Sequence, residues 1–169
     1  MQTTSFMFYA VAIGSGATLL MDLWQLVLKQ FGVATLNVGL LGRWVGHIAR
    51  GCWTHASIAK ATPIGREAAL GWFAHYAIGI AFAALLLLAA GTQWARSPSL
   101  VPALAVGVGT VVAPLLVMQP AMGAGIAFSR TPRPLFNSLK SLANHSVFGV
   151  GLYAAAVGIA YLVNAYSMR

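Results

Sequence analysis

Asp22 stands inside an apolar run from Ser5 to Leu28, and the whole 169-residue chain holds one other carboxylate, Glu67. An unpaired carboxylate in hydrocarbon costs at least about 2.5–3.5 kcal/mol, so an acid at that position demands a partner and points to binding or proton transfer. Its candidate partners are the imidazoles of His75 and His145, with His47 nearer the surface, and the amide of Gln119. An aspartate beside an imidazole forms a charge-assisted hydrogen bond; such a pair binds or relays a proton, or only joins two helices. These residue types also permit ligation. His75 and His145 are the one pair suited to hold a haem or a metal ion between two helices, which would make the protein a membrane redox module.

The elements that position these groups follow from composition. With 59% hydrophobic and 7% charged residues and a mean hydropathy of +0.80, the chain cannot present a soluble surface and reads as an integral membrane protein. Four apolar blocks, at about 5–28, 68–91, 100–128 and 142–163, each exceed the roughly 20 residues needed to cross a bilayer as a helix. They lack the short alternating segments of barrel strands, and backbone in lipid must satisfy its own hydrogen bonds. The fold class is therefore an all-α membrane protein, a bundle of four transmembrane helices forming one integral membrane domain over 1–169. No repeat, low-complexity tail or second domain interrupts it.

Helical spacing gathers the polar groups. Ser15, Thr18, Asp22 and Gln25 recur at three or four residues and form one stripe, which must face protein. Gly71, His75 and Gly79 repeat every four residues in the second helix, and Ser138, Ser141, His145 and Gly149 share a side of the fourth. At about 1.5 Å per residue, Asp22 lies roughly 10 Å from Lys29, His75 roughly 13 Å from Arg66, His145 a little over 7 Å from Lys140, and Gln119 about 16 Å from Arg130. Thr18, Asp22, His75, Gln119 and His145 are thus expected to line one polar pocket in the cytoplasmic half. The third block carries Pro102, Pro114 and Pro120, which predict an interrupted backbone around Pro114 to Pro120.

Charge sets the orientation. Lys29, Arg43, Arg50, Lys60 and Arg66 fill the first connection, Arg130, Arg133 and Lys140 the third, and Arg96 stands alone in the second. By the positive-inside rule the first and third connections are cytoplasmic and both termini face outward. This placement explains the net charge of +8 without a nucleic-acid partner. Met1 to Ser5 carries no cation and the apolar run is long for a signal peptide, so the first helix is expected to be retained. Within the first connection, residues 38–50 have helical periodicity, with Arg43, His47 and Arg50 on one side and Trp44 suited to the headgroup zone. This is an amphipathic interfacial helix, either wetted or folded over the mouth of the bundle. Its cations Arg43 and Arg50, with Arg130 and Arg133 in the turn Ser129 to Pro134, are candidate contacts for anionic headgroups or an anionic substrate. Cys52, the only cysteine, has no partner for a disulfide and no basis for a thiolate cluster, and His55 reads as an ordinary interfacial residue.

No phosphate loop, HExxH zinc motif or GxSxG elbow occurs, so nothing indicates an enzyme. Gly14-Ser15-Gly16-Ala17-Thr18 leading to Met21-Asp22-Leu23-Trp24, the run Asn37 to His47, Leu70-Gly71-Trp72 with His75-Tyr76, Ala113-Pro114 through Val117-Met118-Gln119-Pro120, and Ser129-Arg130-Thr131-Pro132 together resemble an uncharacterised bacterial family of small membrane proteins, domain-of-unknown-function family twenty-nine thirty-eight. The resemblance covers nearly the whole chain and implies the bacterial cytoplasmic (inner) membrane; it brings no substrate, cofactor or catalytic residue. Three functions stay open: binding or transport of a small molecule or ion through the pocket, a haem or metal redox module on His75 and His145, and a structural or lipid-interacting subunit. Membrane lipids are expected partners, and the many small residues allow a homo-oligomer.

Overall fold

A computed structural model describes residues 3–167 and is all-helical, with no strand among the described residues. The helices are α1 (Thr3–Gln30), α2 (Val38–Ile48), α3 (Glu67–Ala90), α4 (Leu100–Gly109), α5 (Gln119–Ala121) and α6 (Pro134–Ser167). Four segments are long and apolar enough to cross a membrane: Thr4–Gln30, Glu67–Ala90, Leu100–Ala121 and Pro134–Ala165. Large apolar side chains such as Phe73, Leu88, Val101 and Leu162 face outward, as they must where lipid is the solvent. The interior is built from small and branched residues, Ile13, Ala17, Ala83, Leu86, Ala103, Leu152 and Ala156.

α1 is the centre of the arrangement, packed between α3 and α6, and α4 lies on the far side of α6. α3 and α4 meet only sparsely. Glycines set the tight seams: a Cβ on Gly107 of α4 would strike the backbone of Gly149 in α6, so these two helices touch backbone to backbone. α2 docks across the start of α3 in the same way, because a Cβ on Gly42 would strike the carbonyl of Glu67 and one on Gly71 the carbonyl of Val38. The amphipathic helix of the first connection is thus folded onto the bundle, with Leu41 and Gly42 buried. Asn37 caps it, its side chain accepting from the Leu40 amide.

Two helices differ in extent from their apolar blocks. The third apolar run continues to residue 128, yet its helix ends at Ala121, where Gly123 and Gly125 take left-handed backbone angles and turn the chain. The fourth helix begins at Pro134, ahead of its apolar run. Proline suits a first helical turn because its missing N–H is one that the turn leaves unpaired anyway, and Asn137, Ser138, Lys140 and Ser141 belong to the helix ahead of its apolar run.

The third spanning segment is broken, as its prolines predict. After Gly109 the chain turns at Thr110–Val111 and resumes as a π-helix, Ala113–Met118, in which the Gln119 amide donates to the Pro114 carbonyl. Neither Pro114 nor Pro120 has an amide proton to give the preceding turn, and the wider π spacing is the backbone's accommodation of that loss.

Replacing Gly42 by alanine is expected to lift α2 from α3 and destabilise the protein by about 1–3 kcal/mol. Gly158→Ala, where a Cβ meets open space, should leave the melting temperature in detergent unchanged or slightly higher.

Candidate functional site

The seam between α1 and α3 places the buried acid. Gly79 packs against Thr18, whose hydroxyl donates to the Gly14 carbonyl within its own helix at 2.8 Å. One turn further on, Asp22 meets two residues of α3. Its Oδ1 lies 2.9 Å from Nε2 of His75 and its Oδ2 accepts from the Tyr76 hydroxyl at 3.1 Å. The His75 and Asp22 side chains are 8% and 15% exposed, so the pair is shielded and each carboxylate oxygen has a donor. Gln25, the last polar group of the stripe, accepts from the Leu36 amide at 3.0 Å and anchors the segment leading into α2.

Behind this seam lies a cavity of about 630 Å³. Its walls come from α3 (His75, Ile78, Phe82), the π-helical segment (Ala113, Pro114, Val117, Met118) and α6 (Ser141, Asn144, His145, Phe148), with Thr18 and Met21 of α1 at the back. α2 forms the lid through Leu40, Leu41 and Trp44. Most of the cavity's lining is apolar, and Lys140 is its one charged residue. The polar contributors are oriented by partners: Asn144 accepts from the Trp24 indole at 3.1 Å, and Lys140 donates to the Ala34 carbonyl at 2.6 Å. Phe128 completes the wall from a left-handed backbone conformation that Ala127 shares. The Ser138 hydroxyl holds that bend by donating to the Ala127 carbonyl, and the Thr131 hydroxyl by donating to that of Phe128.

The expected polar layer is therefore assembled in part. Thr18, His75, Gln119 and His145 line the cavity, whereas Asp22 sits behind His75 and is not part of the wall. His145 packs against α4, its Nδ1 3.1 Å from the hydroxyl of Thr110 and 3.3 Å from the Gly107 carbonyl. The two histidines thus spend different ring atoms, His75 its Nε2 and His145 its Nδ1. Tyr76, Thr110, Asn144 with its partner Trp24, and Lys140 are site residues that sequence reasoning missed. Tyr76 follows His75 directly, and neighbours in a helix do not normally share a face; Thr110 lies in an apolar run without periodicity.

The cations divide. Arg43, expected to meet an anion from outside, is occupied within the protein: Nε and Nη2 form a forked pair with Glu67, both at 2.9 Å, and Nη1 donates to the carbonyls of Ile58, Ala59 and Ala61 at 3.1–3.3 Å. The hydrogen bonds to Glu67 hold the Arg43 pKa above its usual value. Glu67, the first residue of α3, also accepts from the Ile64 amide at 3.3 Å. Arg50, Arg130 and Arg133 are exposed. His47, expected near the pocket, turns away from it toward His55 and the Thr62 carbonyl. The first and third connections are joined, the amides of His55 and Ile58 donating to the carbonyls of Ala121 and Met122 at 2.8 and 3.0 Å.

Fold and site define a helical membrane protein with a lidded cavity between its spanning helices. The family model described as protein of unknown function (DUF2938) matches residues 11–159, and the chain belongs to that family. No curated protein and no solved structure matches it.

Asp22→Ala leaves two donors of α3 unpaired and is expected to cost about 1–3 kcal/mol, against about 0.5–1.5 kcal/mol for Tyr76→Phe, in equilibrium unfolding from mixed micelles. Arg43→Lys cannot reproduce the forked pair and should lower the melting temperature although charge is conserved.

Proposed function

We propose that the protein binds, and carries across or within the membrane, a small amphipathic molecule held in the cavity between α3, the π-helical segment and α6. The cavity itself carries this reading. About 630 Å³ of mostly apolar space is the size and character of a site for a drug-sized ligand, and a few fixed polar groups supply orientation. An apolar ligand body suits Ile78, Phe82, Val117 and Phe148. A polar end suits the group formed by His75, Gln119, Asn144 and His145. Lys140 favours a neutral or anionic end over a cationic one.

Asp22 acts through His75 in this reading. A carboxylate hydrogen-bonded to one ring nitrogen fixes the orientation of the imidazole and directs the other nitrogen outward, which prepares His75 to accept or return a proton at the cavity wall. The broken third segment supports transport over static storage, since π-helical interruptions recur at functional sites and interrupted spanning helices form binding sites in transporters. For orientation we infer a cytoplasmic-membrane protein with the first and third connections inside and both termini outside, on the excess of Lys and Arg in those connections.

Native mass spectrometry of the protein released from membranes in mild detergent should show a discrete small-molecule adduct, lost in Ala113→Trp, which fills the cavity. An adduct-free wild type that also fails to take up candidate amphiphiles from vesicles would defeat the proposal. Cys52, the only cysteine, reports the orientation: an impermeant maleimide should label it in inverted vesicles and not in intact spheroplasts.

A further inference from the structure

The end of α2 gathers a second constellation, outside the cavity wall. α2 stops at Ile48, and Gly51, with φ of 82°, reverses the chain in the left-handed conformation that glycine tolerates. The Cys52 amide donates back to the His47 carbonyl at 3.0 Å, the Trp44 indole donates to the Trp53 carbonyl at 2.9 Å, and the His55 amide is tied to Ala121. The backbone carrying His47, Cys52 and His55 is thus held at three points. Their side chains converge: Nδ1 of His47 is 2.8 Å from Nε2 of His55, Sγ of Cys52 is 3.5 Å from the same nitrogen, and the three donor atoms all lie within 4.8 Å of one another.

We propose that His47, Cys52 and His55 form a binding site for a thiophilic closed-shell cation, zinc(II) or copper(I). The tautomer of His47 is set by its surroundings. Nε2 lies 2.9 Å from the Thr62 carbonyl, which can only accept, so Nε2 carries the proton and Nδ1 of the neutral ring turns its lone pair toward Cys52 and His55. A backbone carbonyl in that position is the usual outer partner of a metal-ligating histidine. His55 has no bonds that orient it away from the cluster, for its Nδ1 is buried without a partner and its Nε2 points at the other two donors. Two imidazoles and a thiolate are the ligands that zinc and copper(I) favour, and that calcium and magnesium do not.

Small side-chain adjustments bring the distances to those of a bound ion. Ligand bonds of about 2.0 Å to nitrogen and 2.3 Å to sulfur put tetrahedral N···N and N···S edges near 3.3 and 3.5 Å. The Cys52–His55 edge is already there, the His47–His55 edge has to open by about half an ångström, and the His47–Cys52 edge, within 4.8 Å, has to close by up to about 1.3 Å. Binding replaces the Cys52 thiol proton by the metal, so one proton is released per ion. It also shifts the imidazole proton of His55 to Nδ1, which is buried without an acceptor, so metal binding has to offset one unpaired N–H there. No electron is transferred. Cys52 is exposed, which leaves one side open to a fourth, exchangeable ligand such as water. The inference stands apart from the cavity reading, since none of its three residues lines the cavity.

The experiment uses the full chain in detergent, stripped of metal by a chelator and kept reduced and anaerobic. Zinc(II) or copper(I) alone is titrated against a competing chromophoric chelator, and the rate of iodoacetamide labelling of Cys52 is followed in parallel. One ion per chain with matching protection of Cys52 is expected for at least one of the two metals. Loss of an outer-shell partner costs about 10–100-fold in affinity, so removing a ligand by His47→Ala or His55→Ala should cost at least about 100-fold and abolish the protection. A lone thiol would bind copper(I) equally well in those variants, and that result would overturn the site. Labelling unchanged by one equivalent of zinc(II) and of copper(I) alike would also overturn it. Should a histidine variant fail to fold, Cys52→Ser keeps the same backbone ties, and unchanged binding there is an equally decisive refutation.

Discussion

The carboxylate of Asp22, held between His75 and Tyr76, is the contact on which the rest of the structure depends. A bilayer offers no water to a polar group inside it, so a carboxylate there must find its donors on a neighbouring helix. Asp22 finds both of its donors on α3. That contact sets the rotation and depth of α1 against α3, and Thr18 and Gln25 on the same stripe fall into place around it. Gln25 in turn anchors the segment that enters α2, while Glu67 at the start of α3 holds Arg43 and with it the whole of α2. The lid over the cavity is thereby tied to both helices that carry the buried pair.

The cavity is the converse of this tight seam. α1 meets α3 and α6 through glycine and alanine, and α6 meets α4 through Gly107 and Gly149, so these three seams bring backbones close together. On the remaining side the proline-interrupted segment Ala113–Met118 faces α3 across the cavity. A segment that cannot complete its own hydrogen bonds or pack closely on its neighbour leaves volume behind, and polar groups of the other seams line it. His75, Asn144 and His145 are those groups. Each is fixed from behind by Asp22, Trp24 or Thr110 and exposes its remaining face to the cavity.

Much of this was legible in the sequence. Hydropathy alone specifies four spanning segments, because the length of an apolar run is a direct physical requirement of the bilayer. The periodicity of Ser15, Thr18, Asp22 and Gln25 specifies a buried face for α1, and the four-residue repeat around His75 specifies where α3 comes close. Proline content locates the break in the third segment. The helix ends were less legible, since Pro134 to Ser141 is helical without being apolar and the run beyond Ala121 is apolar without being helical.

Pairing was decided by tertiary structure, and the reason is geometric: sequence spacing orders residues along one helix and says nothing of the angle at which another arrives. Arg43 reads as a free cation until α2 is docked on α3 and Glu67 is found within reach. Asp22 reads as a pocket residue until the α1–α3 seam puts His75 in front of it. Cys52 and His55 are each unremarkable alone, and only the reversal at Gly51 brings them onto His47. Composition and periodicity thus determine which groups must be buried, since that is a local balance between side chain and solvent. Which groups meet is a long-range property of packing, set here by where glycines let backbones touch.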